Sequence, residues 1–206
     1  MSLETFNDHA FLMINAGAHP PSALLDFGLF CAVGIVPLTV ALFILLWVRM
    51  PDAQRRAALV TATFIMLIGL GINQLIGFFY YHPRPFVLHL GYTWLHHPAN
   101  NSFPSDHGTF MWSLGFALLA LGRRGGLQMW GVLLTLGGFA VAWGRIYVGV
   151  HFPLDMIASF CVALGVSLLA RPLYGPVSKW ALPFFDKIYF RLIDTLHLPE
   201  KLFPRA

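Results

Sequence analysis

Uncharged apolar runs alternate with short polar blocks along the whole chain. No Asp, Glu, Lys or Arg occurs between Asp26 and Arg49, between Arg56 and Arg84, between Asp106 and Arg123, between Arg124 and Arg145, or between Asp155 and Arg171. A helix needs about 20 residues to cross the roughly 30 Å hydrocarbon core of a bilayer. The first, second and fourth runs reach that length. The third and fifth reach it only if their helices begin at the polar residues before them, near Ser105 and His151. The pattern predicts an all-α, polytopic membrane helix bundle of about five transmembrane helices, with those polar residues at the membrane boundary. Residues 4–15 (ETFNDHAFLMIN) predict a short interfacial helix. In the tail, Phe185, Ile188, Tyr189, Leu192 and Leu196 share one helical face, while Lys187, Arg191 and Asp194 lie elsewhere. That suits a helix lying on the membrane surface, and its charge density argues against a sixth span. The chain divides into an interfacial segment (1–23), a bundle carrying the chemistry (24–171) and an amphipathic tail (172–206), forming one domain.

Composition agrees. Of 206 residues, 57% are hydrophobic and 11% are charged, whereas a soluble domain carries about 25% charged residues. The net charge of +4 is spread along the chain, so no nucleic-acid partner is indicated. Cys31 and Cys161 both lie in apolar runs and imply no disulfide framework. The start, MSLETFND, lacks the basic segment of a cleaved signal peptide.

Charge sets the orientation. With five spans, Arg49, Arg55, Arg56, Arg123, Arg124, Arg171, Lys179, Lys187, Arg191, Lys201 and Arg205 all fall on one side, which should be the cytoplasm. Arg84 and Arg145 alone fall on the opposite face.

That face carries three polar blocks: HPRPF (82–86), NNSFPSDHG (100–108) and RIYVGVHFPLD (145–155). Singly, each has a plain explanation. An arginine beside a span snorkels to headgroups, Ser105 caps a helix, and Asp155 is a capping acid. Together they fit those explanations less well, because charge near a membrane core is costly. The two outward arginines sit beside the blocks that pair a histidine with a nearby carboxylate. A helix starting near Pro153 brings His151 and Asp155, four residues apart, onto one face. A carboxylate on one ring nitrogen fixes the tautomer and leaves the other nitrogen free as a nucleophile. Arg84 and Arg145 can clamp phosphoryl oxygens. Ser105 and the amides that open its helix add anion donors, and His107 can protonate a leaving oxygen. The inventory points to phosphoryl transfer through a phosphohistidine, with no metal or other cofactor required. His82, His89, His96 and His97 crowd one loop, but without acidic or cysteine companions they read as polar loop residues rather than a metal site.

Arg84-Pro85, then PSDH at 104–107, then Arg145 followed by His151 and Asp155, resemble the three signature blocks of the type 2 phosphatidic acid phosphatase superfamily. The resemblance covers the second to fifth apolar runs. It implies that His151 is the nucleophile, Asp155 orients it, His107 is the general acid, and Arg84, Arg145 and Ser105 bind phosphate. Two positions depart from the pattern. The family's first block usually has a lysine seven positions before the arginine, and Gly77 stands there. The second block is usually PSGH, and Asp106 replaces its glycine. Within the family, this wording is similar to bacterial undecaprenyl-diphosphatases of the bacitracin-resistance type. That similarity implies a polyprenyl diphosphate substrate, a bacterial plasma membrane and a site facing the exterior. Asp106 and Asn101 are placed with the phosphate-binding residues; in the lysine's stead, neutral donors such as Asn100, Asn101, Ser102 or the loop histidines are expected to hold the second phosphate, the other explanation being that Gly77 leaves space for a bulkier diphosphate head. The rival readings are another lipid phosphatase or phosphotransferase, or a transporter that binds lipid phosphate without chemistry. A transport site usually lies near the midplane, whereas these charges cluster at one face.

Overall fold

The computed structural model describes residues 2–50, 52–122, 126–199 and 203. Arg123, Arg124, Lys201 and Arg205, used above for orientation, lie outside the described residues. The described chain is helical throughout, with no strand. In order come α1 (Leu3–Ile14), α2 (Ser22–Arg49), α3 (Ala53–Phe79), α4 (Asp106–Leu121), α5 (Gln128–Tyr147), α6 (Pro153–Ser167) and α7 (Ala170–Thr195). The long connection between α3 and α4 carries one 3-10 turn, Pro85–Leu88.

Each of the five apolar runs holds one helix, but they do not all span alone. Three helices are long and apolar enough to cross a bilayer by themselves: α2, α3 and α5. α6 and α7 meet the same criterion only together, as a pair bent by 47°. α4 has 16 residues and is therefore about 24 Å long, short of the five-span expectation. It is the central helix, packed between α3, α5 and α6. Its neighbours rather than lipid surround it, which relaxes the length requirement. Its contact with α5 is close: a Cβ on Gly115 would sit 2.9 Å from the Thr135 nitrogen, and one on Gly131 would sit 2.8 Å from that of Leu119. Small residues allow such backbone approach where lipid offers no hydrophobic drive to pack.

Proline shapes two helices. Pro37 has no N–H and its ring crowds the carbonyl four residues back, at Val33. The helix widens there into a π-turn over Phe30–Gly34. Pro183 does the same to Lys179, inside the π-turn Val177–Ala181.

α7 uses the apolar face anticipated for the tail. Phe185, Ile188, Tyr189 and Leu192 line an apolar cavity of about 450 Å³ shared with α2 and α3. Beside it, Arg56 is almost wholly buried (1% exposed). Its Nη2 lies 3.4 Å from Asp186, and its guanidinium lies over the rings of Trp47 and Phe190. This tie fastens α7 to the start of α3.

Candidate active site

The three polar blocks converge at the other end of the bundle. α3 ends at Phe79 and delivers Arg84 on an extended segment; α4 opens with Asp106 and His107; α5 ends just after Arg145; α6 opens at Pro153. Arg84, His97, Asp106, His107, Arg145 and His151 line one cavity of about 460 Å³, together with Asn73, Gln74, Gly77 and Phe78 from the last turns of α3. The turn between α5 and α6 depends on Gly149, at φ +84°, where a Cβ would lie 2.1 Å from the Tyr92 carbonyl oxygen. Only glycine suits that backbone and that contact.

His151 is 2% exposed and its two nitrogens have different partners. Nδ1 lies 3.1 Å from Asp155 Oδ2. Nε2 lies 3.0 Å from Arg84 Nη1. A guanidinium has only donors, so Nε2 is the lone-pair nitrogen and Nδ1 carries the proton. Burial holds the ring's pKa down to about 3, against the opposing pull of Asp155, so the imidazole is neutral. A neutral ring at the wall of a phosphate-sized cavity, with its lone pair held by an arginine that can turn to phosphate, can serve as a nucleophile.

Asp155 is fully buried and does two jobs. Its Oδ2 accepts from the Phe152 N–H at 2.8 Å, capping α6 as the plain reading had it, and from Ser102 Oγ. The same oxygen faces His151. One side chain thus both caps the helix and faces the histidine.

Arg84 is fixed on four sides. It donates to Val150 O (2.8 Å), Asn100 Oδ1 (3.0 Å) and Asn101 O (3.0 Å), besides His151. Burial lowers its pKa to about 10, which leaves it cationic at neutral pH. Arg145, 2% exposed, is less committed. Nη1 lies 3.4 Å from both Ala32 O and His107 Nε2, and Nε has no partner. Ser105 stands at the N-cap position of α4, yet its Oγ makes no capping bond. That hydroxyl is buried and without a hydrogen-bond partner, and Ser105 is not among the residues lining the cavity; its backbone N–H donates to Asp155 O at 3.3 Å.

Two expected phosphate ligands have other partners. Asp106 turns towards α3, accepting from Asn73 Nδ2 (2.9 Å) and Gln74 Nε2 (3.2 Å); an ionised carboxylate has no donor to offer phosphate. Asn101 spends its amide on the loop backbone. Its Oδ1 accepts from the amides of His82 (2.8 Å) and Phe103 (3.3 Å). Its Nδ2 donates to the carbonyls of Tyr80 (3.1 Å) and Phe103 (2.9 Å). It staples the loop at the wall of the cavity, which it helps to line. The loop histidines scatter. His82 turns inward to Asp155, His97 lines the cavity, and His89 and His96 are surface residues.

Sequence reasoning did not single out Asn73, Gln74 or the inward turn of Ser102. The amides lie in an otherwise apolar helix, one turn before Gly77, and that isolated polar pair was the available signal.

The family comparison matches the PAP2 superfamily over residues 57–177. YbjG of Escherichia coli (strain K12), provisionally named an undecaprenyl-diphosphatase, is 34% identical over 92% of this chain and 90% of its own length. Undecaprenyl-diphosphatase BcrC of Bacillus subtilis (strain 168) is 31% identical over 92% of this chain and 95% of its own. The crystal structure of Aquifex aeolicus LpxE superposes with a TM-score of 0.63, covering 84% of this chain and 99% of that one at 23% identity; this likeness is one of fold.

Proposed function

The chain belongs to the PAP2 superfamily and is a multi-pass membrane phosphatase, and from that membership we propose that it hydrolyses undecaprenyl diphosphate to undecaprenyl phosphate and inorganic phosphate. The observation that carries the mechanism is the neutral His151 at the cavity wall, with Asp155 on Nδ1 and its Nε2 lone pair accepting from Arg84. The substrate is carried by the names of the two relatives similar along nearly their whole length.

His151 Nε2 attacks the terminal phosphorus. The N–P bond forms as the bond to the bridging oxygen breaks, and the electron pair leaves on the lipid monophosphate. His107, once protonated, gives that oxygen its proton. The ring of His151 gains positive charge in this step, and Asp155 stabilises it. Arg84 and Arg145 exchange their resting contacts with His151 and His107 for phosphoryl oxygens, where donors stabilise the charge of the transition state. Water, deprotonated by His107, then attacks phosphorus, releases phosphate and restores His151. Two guanidiniums supply the electrostatics, so no divalent metal is required. The site faces the exterior of a bacterial plasma membrane, where the reaction recycles a cell-wall lipid carrier.

The test is phosphate release by purified protein from a panel of lipid phosphates, with the intermediate trapped by rapid acid-free quench. Undecaprenyl diphosphate should be turned over fastest, and label should appear on His151. His151→Ala should lose turnover by more than about a thousandfold while remaining folded. A preference for a lipid monophosphate would overturn the substrate, and label on another residue would overturn the nucleophile. Binding without release would favour the transporter reading. Turnover should survive EDTA; loss restored by one specific metal would sink the metal-free mechanism.

A further inference from the structure

Asp155 has two carboxylate oxygens, and the mechanism uses one. The other, Oδ1, makes no hydrogen bond, is fully buried, and lies 3.4 Å from His82 Nδ1. That nitrogen also makes no hydrogen bond of standard geometry, so each is the polar neighbour the other has. An unpaired carboxylate oxygen in a dry site costs on the order of 1–3 kcal/mol or more, so the facing pair is not incidental.

The rest of the His82 environment fixes its ring in place. Its backbone N–H is held by Asn101 Oδ1 and its carbonyl accepts from the Ser102 amide at 2.9 Å. Its ring stacks on Tyr80 (interplanar angle 13°) and meets the edges of Phe103 and Phe152. It is 8% exposed and does not line the cavity. It therefore cannot touch a bound phosphate, and any effect it has on the reaction must pass through Asp155.

We propose that His82 is a positioning residue of this phosphatase: it donates its Nδ1–H to Asp155 Oδ1 and so holds the carboxylate with its other oxygen on His151. This rests on the reading of His151 as nucleophile. The consequence is a branched arrangement, His82–Asp155–His151, with Ser102 and the Phe152 amide completing the carboxylate's shell. The donor is present in both the neutral and the protonated ring, but the charge is not. A cationic His82 draws negative potential away from His151, whose ring must become positive as it attacks. The rate should therefore fall as His82 takes up its second proton. The charged groups facing His82 are Asp155 from α6 and, more distantly, Glu4 and Asp8 from α1. Asp155 foremost, through its hydrogen bond and charge, raises the His82 pKa above the ordinary histidine value. His151, with its pKa held near 3, does not titrate in the same range.

The test compares His82→Gln, which keeps an N–H donor without a titrating ring, with His82→Phe, which keeps ring volume without a donor. Both are measured as full-length protein in proteoliposomes, beside wild type and His151→Ala, for kcat and KM between pH 5 and 9. His82→Phe should lower kcat roughly ten- to a hundredfold, the usual loss when a partner orienting a reactive histidine is removed, with KM unchanged. His82→Gln should recover most of kcat and lose the wild-type decline on the acid side. Equal kcat in the two variants, or an acid limb unchanged in His82→Gln, would reduce His82 to packing and overturn the proposal. If His82→Phe fails to fold, the pH profile of His82→Gln still decides. Full activity in His151→Ala would instead remove the nucleophile reading, and the proposal with it.

Discussion

Two buried arginine clusters sit at opposite ends of this bundle, and burial alone does not distinguish them. Arg56 is 1% exposed, Arg145 2% and Arg84 5%. At one end, Arg56 meets Asp186 and two aromatic faces, and the neighbouring cavity is lined by apolar side chains. Cation and carboxylate cancel there. At the other end, Arg84 and Arg145 both line a polar cavity, each with a histidine nitrogen as neighbour. Of the acids at that end, Asp155 lies against His151 and Asp106 is turned to Asn73 and Gln74. A buried arginine is structural when its charge is matched locally. It is a functional candidate when the missing counter-charge has the shape of a ligand.

Exchanging the two roles should give the largest effects. Arg145→Ala should cut turnover about a hundred- to a thousandfold, as removal of a transition-state donor does, while thermal stability changes little because Arg145 has few partners to lose. Arg56→Leu should do the reverse. It leaves Asp186 without its cation and should cost about 1–3 kcal/mol, discounted from the fully buried case because Asp186 is partly exposed, with kcat retained. Melting curves in detergent and phosphate-release rates measure both. A stable but inactive Arg56 variant, or an active Arg145 variant, would break the distinction.

The proposed topology puts the two clusters on opposite sides of the membrane. A cysteine at Ala99, in the loop beside the site, should react with an impermeant thiol reagent in intact spheroplasts, and one at Gln54, next to Arg56, should not. Cys161 is exposed, so the background carries Cys161→Ser. Labelling only at position 54 would turn the active site towards the cytoplasm and end its role in recycling an external lipid carrier.

What the sequence disclosed depended on the range of the interaction. Local periodicity located all five apolar runs and the amphipathic face of α7. The i, i+4 spacing was enough to join His151 to Asp155. The length of α4 was not legible, because a helix enclosed by others need not match the bilayer, nor was the 47° bend through which α6 continues into α7. The loop before α4 was least legible. The sequence did not disclose the partners of Ser102, His82 and Asn100, yet Ser102 and His82 turn inward to Asp155 and Asn100 braces Arg84. Those contacts join segments of the chain 16 to 73 residues apart, and no local pattern announces them. Arg56 misled in the opposite sense: one more basic residue in an inner loop, it is among the most buried side chains in the bundle.

The smallest expected effect concerns Gly77, where the family usually has a lysine. A Cβ there would lie 2.7 Å from Asn101 Nδ2, and Asn101 cannot easily yield, since its amide makes four hydrogen bonds to backbone groups. Glycine is therefore required by the loop and not by the phosphate. The loop in turn presents the Asn101 carbonyl and Asn100 to Arg84, so the pair acts on catalysis through the guanidinium. Asn101→Ala should lower turnover of a lipid diphosphate and a lipid monophosphate alike, by about three- to tenfold, the scale of one or two hydrogen bonds. Direct contact between Asn101 and a second phosphate predicts instead a selective loss on the diphosphate. Gly77→Ala should be as damaging as Asn101→Ala in the native background and nearly silent when Asn101 is already alanine, because the clashing amide is gone. Such non-additivity is the signature of two residues acting through one contact. Losses that simply multiply in the double variant would show that Gly77 and Asn101 act separately, and the lysine's absence would then have to be explained from the α3 side of the cavity, where Asn73 and Gln74 hold Asp106.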